Sequence, residues 1–265
     1  MLPLYKPGLD PLKLEYYWSI NNLPCIEKII EEYFVQCINS FFIENNILHP
    51  NHHGSRSYHS PTTALTEIIS KININHDKRL HTVALATDLS AAFDTIDHEI
   101  LLKKLEFYGI RDQSLRLFES FLSNRLCMVE LETFKSPVLE QGPYSCIQGS
   151  KISGLLYNIY TNEVPKLFNI IKDPKKYKTL TGEYPNIHDI LDHLTINYVD
   201  DSTHIMTFDD PIKLKDYLEK FYSLLHIFYV SNLLKINSDK TKLIFFNTGT
   251  NSSFANNFFS GQTTI

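Results

Sequence analysis

The 265-residue sequence predicts an α+β fold, with helices packed on one face of a mostly antiparallel sheet. Short apolar, β-branched runs at 81–88, 195–199, 203–207 and 242–246 read as strands. Between them lie segments whose apolar residues recur at helical spacing. The order is helices, strand, helices, hairpin, helix, hairpin, helix, strand, without the regular strand–helix alternation of a parallel sheet and without an internal repeat.

Pro3, Pro7, Gly8, Pro11 and Pro24 make 3–24 an extended, turn-rich segment. Ile26, Ile29, Ile30, Tyr33, Phe34, Cys37 and Phe41 share a helical stripe over 26–42, and Pro24 suits its start. A polar break at 45–58 precedes a second helix at 62–72, with Ala64, Leu65, Ile68, Ile69 and Ile72 on one face. His81-Thr-Val-Ala-Leu-Ala-Thr-Asp88 reads as a buried strand ending in a carboxylate. Helices follow at 97–108 and 113–123, separated by Gly109. A hairpin of 126–131 and 138–147 turns around Lys135-Ser-Pro, and 150–169 forms one apolar helix. Residues 171–178 read as a basic loop. Strand 195–199, the pair Asp200-Asp201 and strand 203–207 form a second hairpin. A long amphipathic helix at 212–230 and a strand at 242–246 close the pattern, and 247–265 is expected to be a disordered tail.

Composition narrows the classes. With 43% hydrophobic and 21% charged residues the chain is neither collagen-like nor wholly disordered. Cys25, Cys37, Cys127 and Cys146 share no C-x-x-C spacing, so neither a zinc ribbon nor a redox pair is expected, and the chain reads as intracellular. No apolar run reaches the ~18 residues of a membrane span, and the first residues lack the order of a signal peptide. His49, His52, His53 and His59 cluster without a nearby Cys and do not complete a zinc set. Lys172, Lys175, Lys176 and Lys178 could touch a nucleic-acid backbone, but Asp173 and Glu183 dilute them. The formal net charge of -5 argues against a nucleic-acid binder, whose footprint is usually basic.

Two carboxylate features point the other way. Asp200-Asp201 alone is most simply a solvated turn of the I′ kind. Asp88, however, ends another apolar strand, where a buried carboxylate is costly unless a metal or base neutralises it. If strands 82–88 and 195–199 are neighbours, Asp88 and Asp200 converge. Converging carboxylate oxygens suit Mg²⁺. Two such ions about 3.5–4 Å apart clamp the attacking and leaving oxygens of a phosphoryl transfer.

These residues stand in ordered blocks. Asp88-Leu-Ser-Ala-Ala-Phe-Asp-Thr-Ile-Asp-His98, Gln148-Gly-Ser150, Tyr198-Val-Asp-Asp201 and Asn237-Ser-Asp-Lys-Thr-Lys242 follow one another, with Gly54-Ser-Arg56, His59-Ser and Thr63-Ala-Leu65 upstream. Together they resemble the reverse transcriptase domain of non-LTR retrotransposons over about residues 3–246. The resemblance implies a right-hand polymerase of fingers and palm, an antiparallel palm sheet backed by helices, without a thumb. It implies fingers over 1–80, and a palm over 81–246 with an inserted fingers segment around 111–147. It also implies RNA-directed DNA synthesis with two Mg²⁺ ions (Mn²⁺ as substitute), on template RNA, a DNA primer or target end and dNTP, in the nucleus or cytoplasm. In that frame Asp88, Asp200 and Asp201 hold metal, Lys240 is the general acid with Lys242 as competitor, and Phe93 selects the deoxy sugar. Lys6, Arg56, Gln148, Gly149 and Ser150 contact nucleotide or template.

By residue type alone, Phe93 could equally be a core aromatic and Ser150 a helix cap. The chain departs from the family at Trp18, where an Arg is expected, at Ile147 in place of Pro, and along Lys151-Ile-Ser-Gly154. Trp cannot pair with a phosphate as a guanidinium does. The missing thumb suggests a core cut from a longer reading frame. The alternative is an inactive, truncated remnant that keeps only the fold or nucleic-acid binding.

Overall fold

The computed structural model describes residues 1–8, 10, 12–13, 17–131, 134–182, 190–208 and 211–246. In chain order the elements are β1 (Leu2–Tyr5), β2 (Tyr17–Ile20), α1 (Cys25–Glu44), α2 (Pro61–Asp77), β3 (His81–Thr87), α3 (His98–Phe107), α4 (Asp112–Leu122), β4 (Leu126–Cys127), β5 (Glu130–Leu131), β6 (Phe134–Lys135), β7 (Leu139–Glu140), α5 (Lys151–Tyr160), α6 (Leu167–Ile171), α7 (Pro174–Thr181), β8 (Ile190–Tyr198), β9 (Asp201–Phe208), α8 (Pro211–Ser231) and β10 (Lys242–Phe246). They fall into two compact units, one of Met1–Leu48 with Ala91–Tyr160, the other of His49–Ser90 with Thr161–Ile265. The expected tail at 247–265 lies outside the described residues.

The first unit is a helical cluster. α5 packs on α1 and on α3, which also packs on α4. Leu101, Leu105, Leu155, Leu156 and Ile159 are essentially solvent-free and form its core. Asp97 starts α3 as an N-cap, its carboxylate accepting the Ile100 N–H at 2.8 Å. β1 and β2 pair antiparallel, from Leu2 opposite Ile20 to Tyr5 opposite Tyr17. The expected 126–147 hairpin is shorter and nested: β4 pairs β7, and β5 pairs β6 inside them. Pro143, which lacks an N–H to donate, interrupts the second arm.

The second unit is built on a four-stranded antiparallel sheet in the order β10-β3-β9-β8. Helices cover both faces of it, not one. Asn75 of α2 donates to Thr82 Oγ1 (3.1 Å) and Thr207 Oγ1 (2.7 Å), which are register partners on one face. His204, opposite Leu85 on the other face, meets Phe221 of α8 with ring centroids 4.9 Å apart. The buried run Thr82–Leu85 follows from that double cover. His193, Thr195 and His204 form a hydrogen-bonded series, each link 2.9 Å long, with Thr195 and His204 buried.

Two expectations for this stretch of chain need correction. The single helix at 150–169 is interrupted: α5 ends at Tyr160, and α6 begins only after a 3₁₀ turn at Val164–Lys166. Pro165 accounts for this, because its ring would strike the carbonyl of residue 161. The basic segment is also no loop but contains α7. Its caps were present in the sequence: Asp173 accepts the N–H groups of Lys175 and Lys176, Pro174 takes the first helical position, and Gly182 ends the helix at φ +80°.

Candidate active site

The β8–β9 hairpin turns on Val199 and Asp200, closed by the pair Tyr198 and Asp201. Asp201 is therefore the first residue of β9 and only Asp200 occupies the turn. Of the two turn residues only Val199 has positive φ, at 56°, so the φ pattern is that of a type II′ turn and not the I′ turn expected. A β-branched residue there is strained, by about 1–3 kcal/mol.

Asp88 reaches this turn by register. Thr87, the last residue of β3, lies opposite Ser202, so Asp88 follows at the level of Asp201. The neighbour that brings them together is β9, not the 195–199 strand, which lies one place further out as β8. A returning segment holds the other side. Asn237 N–H donates to the Asp88 carbonyl (2.9 Å) and Ser90 N–H to that of Lys235 (2.9 Å). Asn237 then folds the chain into a tight turn, its carbonyl accepting from Thr241 N–H (2.9 Å) and Oγ1 (2.8 Å). This turn sets Lys240 Nζ 3.3 Å from Asp88 Oδ2. Lys242 Nζ instead donates to the Asp239 carbonyl at 2.8 Å.

The electrostatics are those of an acidic cluster short of positive charge. Burial, then the charges of Asp201 and Asp88, raise the Asp200 pKa above the ordinary carboxylate range against an opposing pull from the turn's own backbone N–H and from Lys240. Asp201 is raised likewise by burial and by Asp88. Asp88 Oδ2 is buried and accepts no hydrogen bond; Lys240 is close enough to pair in charge but is not aligned to donate. Among the described residues no three His, Cys, Asp or Glu side chains are gathered into a metal-ligand cluster. Like charges hold carboxylates apart unless enough positive charge compensates them. Hard oxygen donors, one of them an orphaned buried oxygen, nonetheless fit a hard divalent cation of the Mg²⁺ kind.

Arg56 in the same unit braces its own loop: Nη1 donates to the carbonyls of His49 (2.9 Å), Pro50 (3.0 Å) and His52 (3.4 Å). His53 joins that loop to α2 through Thr63 (2.9 Å) and Glu67 (3.1 Å). His52 is fully buried, and burial drives its pKa down to about 3.

The remaining expected residues belong to the first unit. Phe93 is half-buried and stacks on Tyr157 at 5.0 Å and 27°. Lys6 lies near enough to Asp94 to counter the rise that burial gives that carboxyl. Gln148, Gly149 and Ser150 form the turn entering α5. The Gln148 carbonyl accepts Asn21 N–H at 2.8 Å. Gly149 sits at φ +106°, where a Cβ would lie 2.8 Å from the Asn21 carbonyl oxygen. Ser150 donates to Glu31 Oε1 at 2.5 Å, while Lys151 N–H donates to Oε2 at 3.2 Å. Glu31, 2% exposed, thus caps α5 with a buried carboxylate. It escapes a reading of the sequence because it lies on the apolar-rich α1 and its partners are 119 and 120 residues away. The side chain of Trp18 lies outside the described residues.

A family model described as reverse transcriptase (RNA-dependent DNA polymerase) matches residues 10–257. The chain belongs to the reverse transcriptase family. Two curated relatives come from fruit flies. "Probable RNA-directed DNA polymerase from transposon BS" of Drosophila melanogaster is 27% identical over 173 residues, which are 62% of this chain and 18% of that protein. "RNA-directed DNA polymerase from mobile element jockey" of Drosophila funebris is 25% identical over 167 residues, again 62% and 18%. The match thus spans under a fifth of the length of either relative. Among solved structures, apo telomerase from Candida tropicalis truncated of its C-terminal domain aligns with TM-score 0.56 at 16% identity, over 84% of this chain and 41% of that one. Telomerase of the same yeast in complex with a fragment of telomeric RNA aligns with TM-score 0.53 at 14% identity, over 83% and 34%. The reverse transcriptase domain accordingly has the α+β fingers-and-palm fold of polymerases. No helix among its described residues is long and apolar enough to cross a membrane.

Proposed function

We propose that the chain is the catalytic core of an RNA-directed DNA polymerase of a non-LTR retroelement, acting inside the cell. What supports this most is the approach of Asp88 to the Asp200-Asp201 turn, with a buried carboxylate oxygen left without a hydrogen bond. Asp88 and Asp200 would hold two Mg²⁺ ions (or Mn²⁺), with Asp201 as the auxiliary carboxylate. When bound, such ions activate the primer 3′-hydroxyl, polarise the α-phosphate of the dNTP and neutralise departing pyrophosphate. The 3′-oxygen gives up its proton to solvent and bonds to the α-phosphorus as the bond from that phosphorus to the α,β-bridging oxygen breaks. Lys240, the ammonium beside Asp88, delivers a proton to pyrophosphate. Phe93 presents its ring to the incoming sugar and excludes a 2′-hydroxyl. Lys6 faces the triphosphate, and the Gln148-Gly149-Ser150 turn lets backbone approach the nucleotide or template closely. Arg56 serves the template side indirectly, by stiffening its loop. The partners are template RNA, a DNA primer or target end, and dNTP.

Extension of oligo(dT) on poly(rA) with dTTP and Mg²⁺ tests the proposal. Incorporation by the wild-type chain and none by Asp200→Asn is expected. No incorporation by a folded wild-type chain would leave the inactive-remnant alternative standing.

A further inference from the structure

We propose that the segment Asn51–Gly54 is a strut that positions the Val199-Asp200 turn, and that Gly54 is the residue on which its fit depends. The inference rests on the polymerase reading above, since it assigns a task to residues that touch no reacting group.

The strut lies along the end of β8 just before the turn. Asn197 N–H donates to the Asn51 carbonyl (2.9 Å), and His53 N–H donates to the Asn197 carbonyl (2.8 Å). His52 and Asn197 thereby form a parallel bridge. Asn51 Nδ2 adds a bond to the Thr195 carbonyl at 2.8 Å. The segment is itself fixed, by Arg56, which donates to the carbonyls of His49 and Pro50 just before it and of His52 within it, and by His53 on α2. Gly54 then meets the turn directly. A Cβ on it would fall 2.5 Å from Val199 N, 2.5 Å from Val199 Cγ2 and 3.2 Å from Val199 Cα. Two of those three atoms are backbone, so no change of rotamer relieves the clash. Gly54 is required here for close approach and not for a left-handed φ.

Val199 explains why such a strut is needed. A β-branched residue at φ 56° persists only where its surroundings over-determine it. The backbone atoms pressed by Gly54 belong to that residue, and the next residue is Asp200. A side chain at position 54 would push the turn outward and carry Asp200 away from Asp88. Gly54 is thus a positioning residue, acting on metal ligation through Val199.

Mn²⁺ binding by the full chain, read from the loss of the free-ion paramagnetic resonance signal, tests this beside thermal melting. Gly54→Ala is expected to weaken Mn²⁺ affinity by about tenfold or more, the range seen when groups that orient metal ligands are lost. The same change made together with Val199→Gly should cost less, because the contact with Cγ2 is gone, but not nothing, because the contact with the backbone N of residue 199 remains. Asp200→Asn serves as the reference. If it removes binding while Gly54→Ala binds like wild type, the strut is refuted and the polymerase reading survives. Equal losses with and without Val199→Gly, tracking the drop in melting temperature, would mean plain destabilisation and also overturn the strut. Unchanged binding in Asp200→Asn would overturn both. Should Gly54→Ala not fold, Asn51→Ala replaces it: a loss of affinity with little change in melting supports the strut, and wild-type affinity refutes it.

Discussion

Replacing Lys240 by Met removes the ammonium beside Asp88 while keeping most of the side chain's bulk. At the observed 3.3 Å to Asp88 Oδ2, Coulomb's law gives about 1.3 kcal/mol in bulk water and about 5 kcal/mol at an effective dielectric of 20. Lys240 is 68% exposed and Asp88 22%, so screening keeps the value near the lower figure, about 1 kcal/mol. The orphaned Oδ2 means that no hydrogen bond is lost in addition. Lys240→Met should therefore lower the free energy of unfolding by about 1 kcal/mol at pH 7 and low salt. Asp200 and Asp201, which Lys240 now pulls downward, should titrate still higher in the variant. The assay is urea denaturation at pH 7, in low and in high salt. The loss should shrink in high salt. A loss that is unchanged in high salt, or no loss in low salt, would refute an electrostatic role for Lys240 at this site.

Other outcomes follow from the same geometry. His52 and His204 are buried and neutral, with pKa values driven from 6.5 to about 3. Below 6.5 the unfolded chain binds protons that the fold refuses, so stability should fall as pH drops, by up to about 1.4 kcal/mol per unit for each imidazole. Asp200 and Asp201 oppose this weakly: their raised values make the fold bind protons first, which adds stability as pH falls toward the carboxylate range. Urea midpoints that stay flat from pH 7 to pH 5 would contradict the burial of neutral imidazoles. Glu31→Ala should cost about 2–3 kcal/mol, because it strands the Ser150 and Lys151 donors at the start of α5. A loss below about 0.5 kcal/mol in chemical denaturation would show that water replaces the carboxylate. Phe93→Ala should let ribonucleotides into extension products; unchanged sugar selectivity in a competition assay would remove Phe93 from the nucleotide site.

Much of the palm sheet was legible in the sequence because its signals are local. The run ending at Asp88 is apolar and β-branched over seven strand residues, and β10 was delimited by an equally short run. The ordered carboxylate blocks carried both the fold and the candidate site. Strand order was less accessible: periodicity shows that 82–88 is buried but not that β9, rather than β8, lies beside it. The two covered faces of the sheet follow from Asn75 and Phe221 reaching it from different helices, contacts that no local pattern encodes. α7 is legible in Asp173, Pro174 and Gly182, which spell out a capped helix, although its lysines give the segment the pattern of a basic loop. The contacts of Gly54 and Glu31 are not legible, although Gly54 stands in one of the ordered blocks. Each acts through a contact more than a hundred residues away, and neither residue type advertises it.

The central claim is that β3 and the β8–β9 turn bring Asp88 and Asp200 to one divalent-cation site. Cleavage by bound Fe²⁺ tests it directly, since hydroxyl radicals formed at a substituted ion cut backbone close to it. With ascorbate and peroxide, the full chain should be cut near residue 88 and near residue 200 together. Excess Mg²⁺ should suppress both cuts, and either Asp88→Asn or Asp200→Asn should abolish both. Cutting near only one of the two positions, or a cut at 200 that survives Asp88→Asn, would contradict a shared site.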